Sequence, residues 1–313
     1  MVYGLLFMVC CLLFTVYSMK LKVNSGRLTD IFFILILSSF IFFSCRKTID
    51  LKLPEYKQKV VIEASIETNG YPFVLLSYSI PFFGEFDFTK PQEAFIKGAF
   101  VTISDGTITD TLIELDPNTG YYYIGTKIIG QQGKTYYLNV TVNGKTYTAD
   151  TYIYPPVALD SLYFKGERDT LGFMWAHLTE PAGLGNNYRW FAKRLNRGDL
   201  FYAAPFNSVF DDKFVDGKDF HFAYDRGIQP NQVQAYKDDP EQGYFKRGDT
   251  VVVKFCTIGR KEYLFWNSYY LNKSSNGNPF SAPSNIVSTV PGEEVLGGFF
   301  GYSPSFDTLV IPK

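Results

Sequence analysis

Residues 136–151, YYLNVTVNGKTYTADT, decide the fold class. Two β-prone runs, Tyr136 to Val142 and Lys145 to Thr151, flank Asn143-Gly144. Asn and Gly accept the positive φ that a two-residue hairpin turn requires, so the segment reads as an antiparallel hairpin. The pattern recurs toward the N-terminus. Ala99 to Ile103 runs into Asp105-Gly106 and continues as Thr107 to Leu115, while Asp116-Pro117-Asn118-Thr119-Gly120 is a loop of turn residues. Val60, Ile62, Ala64 and Ile66 alternate with Val61, Glu63 and Ser65, followed by the turn Asn69-Gly70 and a strand from Phe73 to Ser79. About seven short strands in about 95 residues predict a sandwich of immunoglobulin-like or transthyretin-like type over residues 59–154.

Tyr154-Pro155-Pro156 reads as its boundary. Residues 155–313 read as a second β-rich domain, with strands at Ser161 to Lys165, Leu171 to Leu178, Tyr188 to Leu195, Thr250 to Cys256 and Gly298 to Tyr302. Phe210 to Lys246 reads as loop. One short helix stands out from Arg260 to Asn272, where Tyr263, Trp266, Tyr269 and Tyr270 recur at spacings of three to four. That aromatic stripe is expected to pack on a sheet. The high aromatic count, 23 Tyr and 30 Phe, agrees with a mainly β chain.

Outward from the sandwich, residues 46–58 form a polar tether containing Pro54. Residues 19–45, MKLKVNSGRLTDIFFILILSSFIFFSC, have the three parts of a lipoprotein signal. Lys20, Lys22 and Arg27 form the cationic part, Ile31 to Phe43 the apolar part, and Ser44 precedes the lipid acceptor Cys45. The apolar run is too short to span a bilayer comfortably. Phe42 departs from the Leu usual three residues before such a Cys. Residues 1–18 are apolar and uncharged, which fits a membrane segment or translated upstream sequence. The complete signal beginning at Met19 favours upstream sequence, a miscalled extension.

With Cys10, Cys11 and Cys45 in these segments, Cys256 is the lone cysteine of the mature part, so no internal disulfide is expected. Its apolar strand makes it a small buried hydrophobe rather than a nucleophile. The net charge of −1 and the lack of a basic patch argue against nucleic acid as partner.

Motifs of known chemistry are missing: no Gly-x-Ser-x-Gly elbow, phosphate loop or His-Glu-x-x-His. His177 and His221 have no Cys or His at ligand spacing, so no metal or cofactor is expected. The sequence-adjacent pairs Asp211-Asp212, Asp238-Asp239 and Glu293-Glu294 read as solvated loop charges, and no catalytic residue is assigned. Asp211, Asp212, Asp216 and Asp219 are oxygen donors without the spacing of a calcium loop. Among the loop aromatics Phe201, Tyr202, Phe206, Phe220, Phe222 and Tyr224, a ligand platform would draw on Phe206, Phe222 and Tyr224; the competing reading is that they fill the core.

Asp, then Ser or Thr, then an apolar residue recurs with hydroxyls at Thr111, Ser161, Thr170, Thr250 and Thr308. The triplet resembles the acceptor motif of protein O-glycosylation in Bacteroidota; a turn Asp leading into a strand gives the same pattern.

The order Cys45, Ile49-Asp50-Leu51, Lys59 to Ala64, Ala99 to Gly106 and Gly133 to Leu138 resembles the DUF4249 lipoproteins of Bacteroidota. Tyr263, Trp266, Asn278 to Ser281 and Gly297 to Tyr302 look like the ending of the same family. The resemblance implies a lipid-anchored outer-membrane protein with an accessory role beside a TonB-dependent receptor, and no established activity. Arg46-Lys47 stand where surface-displayed lipoproteins of the phylum carry acidic residues, so the periplasmic face and the cell surface both stay open. The leading expectation is a non-catalytic, partner- or ligand-binding envelope protein. The alternatives are an exported glycan hydrolase using loop carboxylates of residues 199–245 and a structural or adhesive surface component.

Overall fold

Strand β1 (Val60–Glu67) buries Val60, Ile62, Ala64 and Ile66 on one face, as its alternation dictates. It pairs antiparallel with β2 (Phe73–Tyr78), which carries β6 (Tyr123–Ile124) and then β5 (Ile113–Glu114). A second sheet, ordered β4 (Thr109–Thr111), β3 (Phe100–Ser104), β7 (Thr135–Val142) and β8 (Lys145–Tyr152), closes the sandwich. Ile103, Leu138 and Val140 face β1 across this core. The chain is seen in a computed structural model describing residues 56–80, 90–115, 122–227, 240–241, 243–275 and 285–313. Tyr56–Lys313 form one compact unit.

The second lobe stacks two further layers. One contains β9 (Ser161–Arg168), β10 (Leu171–Thr179), β14 (Asp219–Tyr224) and β15 (Phe245–Lys246), all paired to β10. The other runs through β11 (Asn187–Arg194), flanked by β12 (Tyr202–Ala203) and β13 (Val209–Asp211), to β16 (Thr250–Ile258) and β17 (Val295–Val310). Met174, Leu178, Trp190, Val253 and Phe255 fill the space between them. The protein is therefore mainly β, a β-sandwich followed by a second β-rich lobe. Among the described residues it has one α-helix, α1 (Arg260–Ser275). The stretch from Phe210 to Lys246 differs from the loop expectation, because β14 lies inside it with Phe220, Phe222 and Tyr224 directed at the core.

β17 joins the lobes. Its first half, Val295 to Tyr302, pairs parallel with β1, and its second half, Ser303 to Val310, pairs antiparallel with β16. One nine-stranded sheet thus serves both sandwiches, and the first takes a strand from beyond the Tyr154-Pro155-Pro156 boundary. Odd-numbered residues of β17 face inward throughout, Val295 and Phe299 into the first core and Ile311, just past its end, into the second. Even-numbered Phe300 and Tyr302 face out, where α1 covers them with Phe265, Trp266 and Tyr270. The aromatic stripe of α1 packs on the sheet as its spacing predicts. Among the described residues no helix is long and apolar enough to cross a membrane.

Candidate functional site

The outward face of the shared sheet, opposite the second core, carries alternating cations and rings. Tyr188, Trp190 and Ala192 of β11 point inward, so the intervening Arg189, Phe191 and Lys193 point outward. The same parity places Lys254 of β16 and Tyr302 of β17 on this face. Lys193 Nζ lies 4.3 Å from the Phe201 ring centre. Lys254 Nζ lies 5.7 Å from Phe201, 5.4 Å from Phe191 and 5.9 Å from Tyr302. The Arg189 guanidinium lies 4.6 Å from Phe191 and only 3.3 Å from the Trp266 ring centre. These are cation–π distances.

Charge along the strip is unevenly balanced. Lys254 pairs with Glu67 of β1 across the intervening β17. Arg189 is 5% exposed, donates to the Tyr302 hydroxyl, and leaves its Nε without a hydrogen-bond partner. Burial pushes the Tyr302 phenol up, opposed by the Arg189 charge. Desolvation raises the Glu63 carboxyl above its ordinary range, and the Arg189 charge opposes that as well. The Glu63 side chain is nonetheless open to solvent, so its desolvation reflects the protein mass around it rather than closure over it. Arg189 and Tyr302 are sealed beneath α1 and its Trp266, and the strip reaches solvent at the half-buried Lys193 and Phe201, beside the exposed Phe306.

The structure separates most of the residues singled out from sequence. Cys45, with the signal and most of the tether, lies outside the described residues, as do Asp238, Asp239 and the 278–281 segment. Phe222 and Tyr224 pack against Trp190 on the second core, which favours the core reading for these two, while Phe206 is 64% exposed. Cys256 is fully buried and its thiol is pushed up to about 12 by desolvation, which disfavours the thiolate. The hydroxyl-bearing residues Thr111, Ser161, Thr170 and Thr308 are exposed and Thr250 is half-buried. Two of the preceding aspartates have structural work: Asp110 accepts from the backbone N–H groups of Thr126, Lys127 and Ile128, and Asp249 from that of Lys246.

The Asp run also divides. Asp211 pairs with Arg260, and Asp219 accepts from the Thr179 hydroxyl. Asp212 and Asp216 instead meet Glu180, with one oxygen of each within 4.8 Å of the others. Backbone N–H groups of Gly183, Gly185, Asn186 and Gly217 donate into this cluster, tying the 181–186 and 212–217 loops together. His177 and His221 lie directly opposite one another across β10 and β14, with ring centres 4.6 Å apart.

Residues 46–306 match the family described as Domain of unknown function (DUF4249). The chain belongs to the DUF4249 family. No match is found among curated proteins. Among solved structures, a two fibronectin type-III domain segment from chicken tenascin is similar over 64% of this chain and 91% of that chain, at 13% identity and a TM-score of 0.20. In this DUF4249 chain, Arg189, Lys254 and Glu180 escape sequence reasoning. Each gains its role from neighbours far along the chain, and the one local signal, Arg189 amid the aromatics Tyr188, Trp190 and Phe191, also fits an ordinary strand.

Proposed function

We propose that this protein is a lipid-anchored envelope protein of Bacteroidota that binds a partner, as an accessory to a TonB-dependent outer-membrane receptor. The cation–ring strip on the outward face of the shared sheet carries the binding reading. Its accessible edge, where Lys193 lies over the Phe201 ring beside the exposed Phe306, offers positive charge next to apolar faces, which suits contact with an acidic, aromatic protein surface. Anchoring draws support from the signal parts of residues 19–45 and from a family match that opens at residue 46, directly behind Cys45. A lipid at that Cys leaves the β-lobes free to engage a neighbour in the same membrane.

The test is purification of the lipidated protein from native membranes, with identification of what comes with it. A receptor barrel is expected with the wild type and is lost with Lys193→Glu combined with Phe201→Ser. Cys45→Ala is expected to remain at precursor size and to lack lipid. Mature-sized, membrane-retained protein in that variant refutes the anchor. Glycan turnover by the purified chain without a co-purifying receptor replaces binding with hydrolysis.

A further inference from the structure

The outward face of the smaller sheet holds a second cluster of chemistry-bearing side chains. On β10 the inward residues Met174, Ala176 and Leu178 leave Trp175, His177 and Thr179 outward. On β14, inward Phe220 and Phe222 leave Asp219 and His221 outward. Register sets His177 opposite His221 and Thr179 opposite Asp219. Tyr163 of β9 lies on the same face, and Asp160 immediately precedes that strand.

We infer that His177, His221 and Asp219 form a binding site for a borderline divalent cation of the zinc, nickel or copper class. His177 Nε2 stands 3.6 Å from Asp219 Oδ1. That is too long for a hydrogen bond. Two donors on one tetrahedral zinc, each bonded at about 2.0–2.1 Å, sit about 3.3 Å apart, so this pair already has nearly the required bite. The other nitrogen of His177, Nδ1, faces Asp160 Oδ2 at 3.8 Å, beyond hydrogen-bond reach but on the side from which a carboxylate orients a metal-bound imidazole once the gap closes. His221 Nδ1 lies 3.3 Å from the Tyr163 hydroxyl. With Nδ1–H donating to that oxygen, Nε2 carries the free lone pair. The two rings stack with planes 22° apart and their nitrogens do not converge with Asp219 as they stand, so the exposed His221 must turn out of that stack to bring Nε2 to the metal. The Thr179 hydroxyl donates to Asp219 Oδ1 at 2.7 Å and holds that carboxylate in place.

The donor set selects the ion. Two imidazoles and one carboxylate suit zinc, nickel and copper, whereas calcium and magnesium favour all-oxygen shells. A fourth position remains for water. The site is distinct from the all-oxygen cluster of Glu180, Asp212 and Asp216.

Calorimetric titration of zinc into the chelator-stripped full chain in detergent, with its accessible thiols alkylated, tests the assignment. One saturable site is expected. His177→Ala and His221→Ala should each weaken it about 10–100-fold, Asp219→Asn about 10-fold, and Asp216→Asn not at all. Copper bound to the wild type should give an electron paramagnetic resonance spectrum with hyperfine coupling to two nitrogens, falling to one in either histidine variant. Unchanged circular dichroism checks that these outward-facing variants fold. Absence of saturable zinc binding overturns the inference, as does equal affinity in the His177→Ala, His221→Ala double variant. Loss of the site in Asp216→Asn places the metal at the oxygen cluster and equally overturns it.

Discussion

Trp266→Ala tests whether α1 is part of the core or a replaceable surface feature. The indole is 8% exposed and meets the Phe300 ring at 4.9 Å and Phe265 at 5.0 Å. Truncating a buried aromatic to alanine costs about 3–5 kcal/mol through lost transfer energy and residual cavity. The same indole lies 3.3 Å from the Arg189 guanidinium, a charge that makes no ion pair among the described residues. A desolvated cation–π contact adds about 2 kcal/mol. Water entering the space vacated beside Arg189 rehydrates part of that charge, so the net loss is expected at about 4–6 kcal/mol. For a unit of this size, that lowers Tm by roughly 10–20 °C. Urea titration followed by far-UV circular dichroism measures it without relying on the fluorescence of the deleted residue. Arg189→Met completes a double-mutant cycle, with an expected coupling of about 1–2 kcal/mol. A Trp266→Ala loss below about 1 kcal/mol would falsify the core reading. A loss of expected size with no coupling to Arg189→Met would retain the packing and remove the cation–π contribution.

Gly297 has φ +116°, and a Cβ there would meet the Ile62 carbonyl oxygen at 1.9 Å, inside the parallel pairing of β1 and β17. Gly297→Ala should therefore cost more than about 3 kcal/mol by urea titration. Gly106→Ala, at φ +86° with open space around it, should cost only the backbone strain of about 1 kcal/mol; equal losses at the two sites would count against the clash. Backbone donation from Ile108 and then Thr107 holds the Asp105 carboxyl down at about 2. A folded-state value below the unfolded one stabilises above the unfolded carboxylate range and fades as pH falls from about 4 to about 2. Solvent around this exposed turn limits the effect to about 1 kcal/mol. Asp105→Asn should lose that portion of the pH dependence, measured as urea midpoint against pH, and an unaltered slope contradicts the assignment.

The hairpins were legible because their turns are encoded where they occur. Asn69, Asn143, Gly106 and Gly144 all adopt positive φ, and each sits at a turn read from its residue type alone. The helix was legible for a similar reason, since Tyr263, Trp266 and Tyr270 repeat within a few turns. Strand β14 was hidden because Asp and Gly crowd its flanks, although Phe220, Phe222 and Tyr224 alternate within it. The clustered side chains were hidden by distance along the chain. His177 and His221 meet through antiparallel register, and Glu67 reaches Lys254 across a strand that begins at Val295.

β17 is the clearest case of information that no local window contains. Its first half reads as small residues and aromatics, Val295 to Tyr302, and its second half alternates Phe306, Thr308 and Val310 with Asp307 and Leu309. Neither half names its partner. The junction is nonetheless built with side chains that permit it: Gly297 and Gly301 let the backbones of β1 and β8 approach, and the Ser305 hydroxyl donates to the Val157 carbonyl where the chain passes between lobes. Parity does the rest. A strand of constant alternation sends its odd residues to two successive cores and its even residues to one outer face. Arg189, Lys254 and Tyr302 are therefore gathered on that face by the same register that completes both sandwiches. A one-residue slip of β17 would exchange Phe299 for Phe300 in the first core and break the cation–ring strip in the same step.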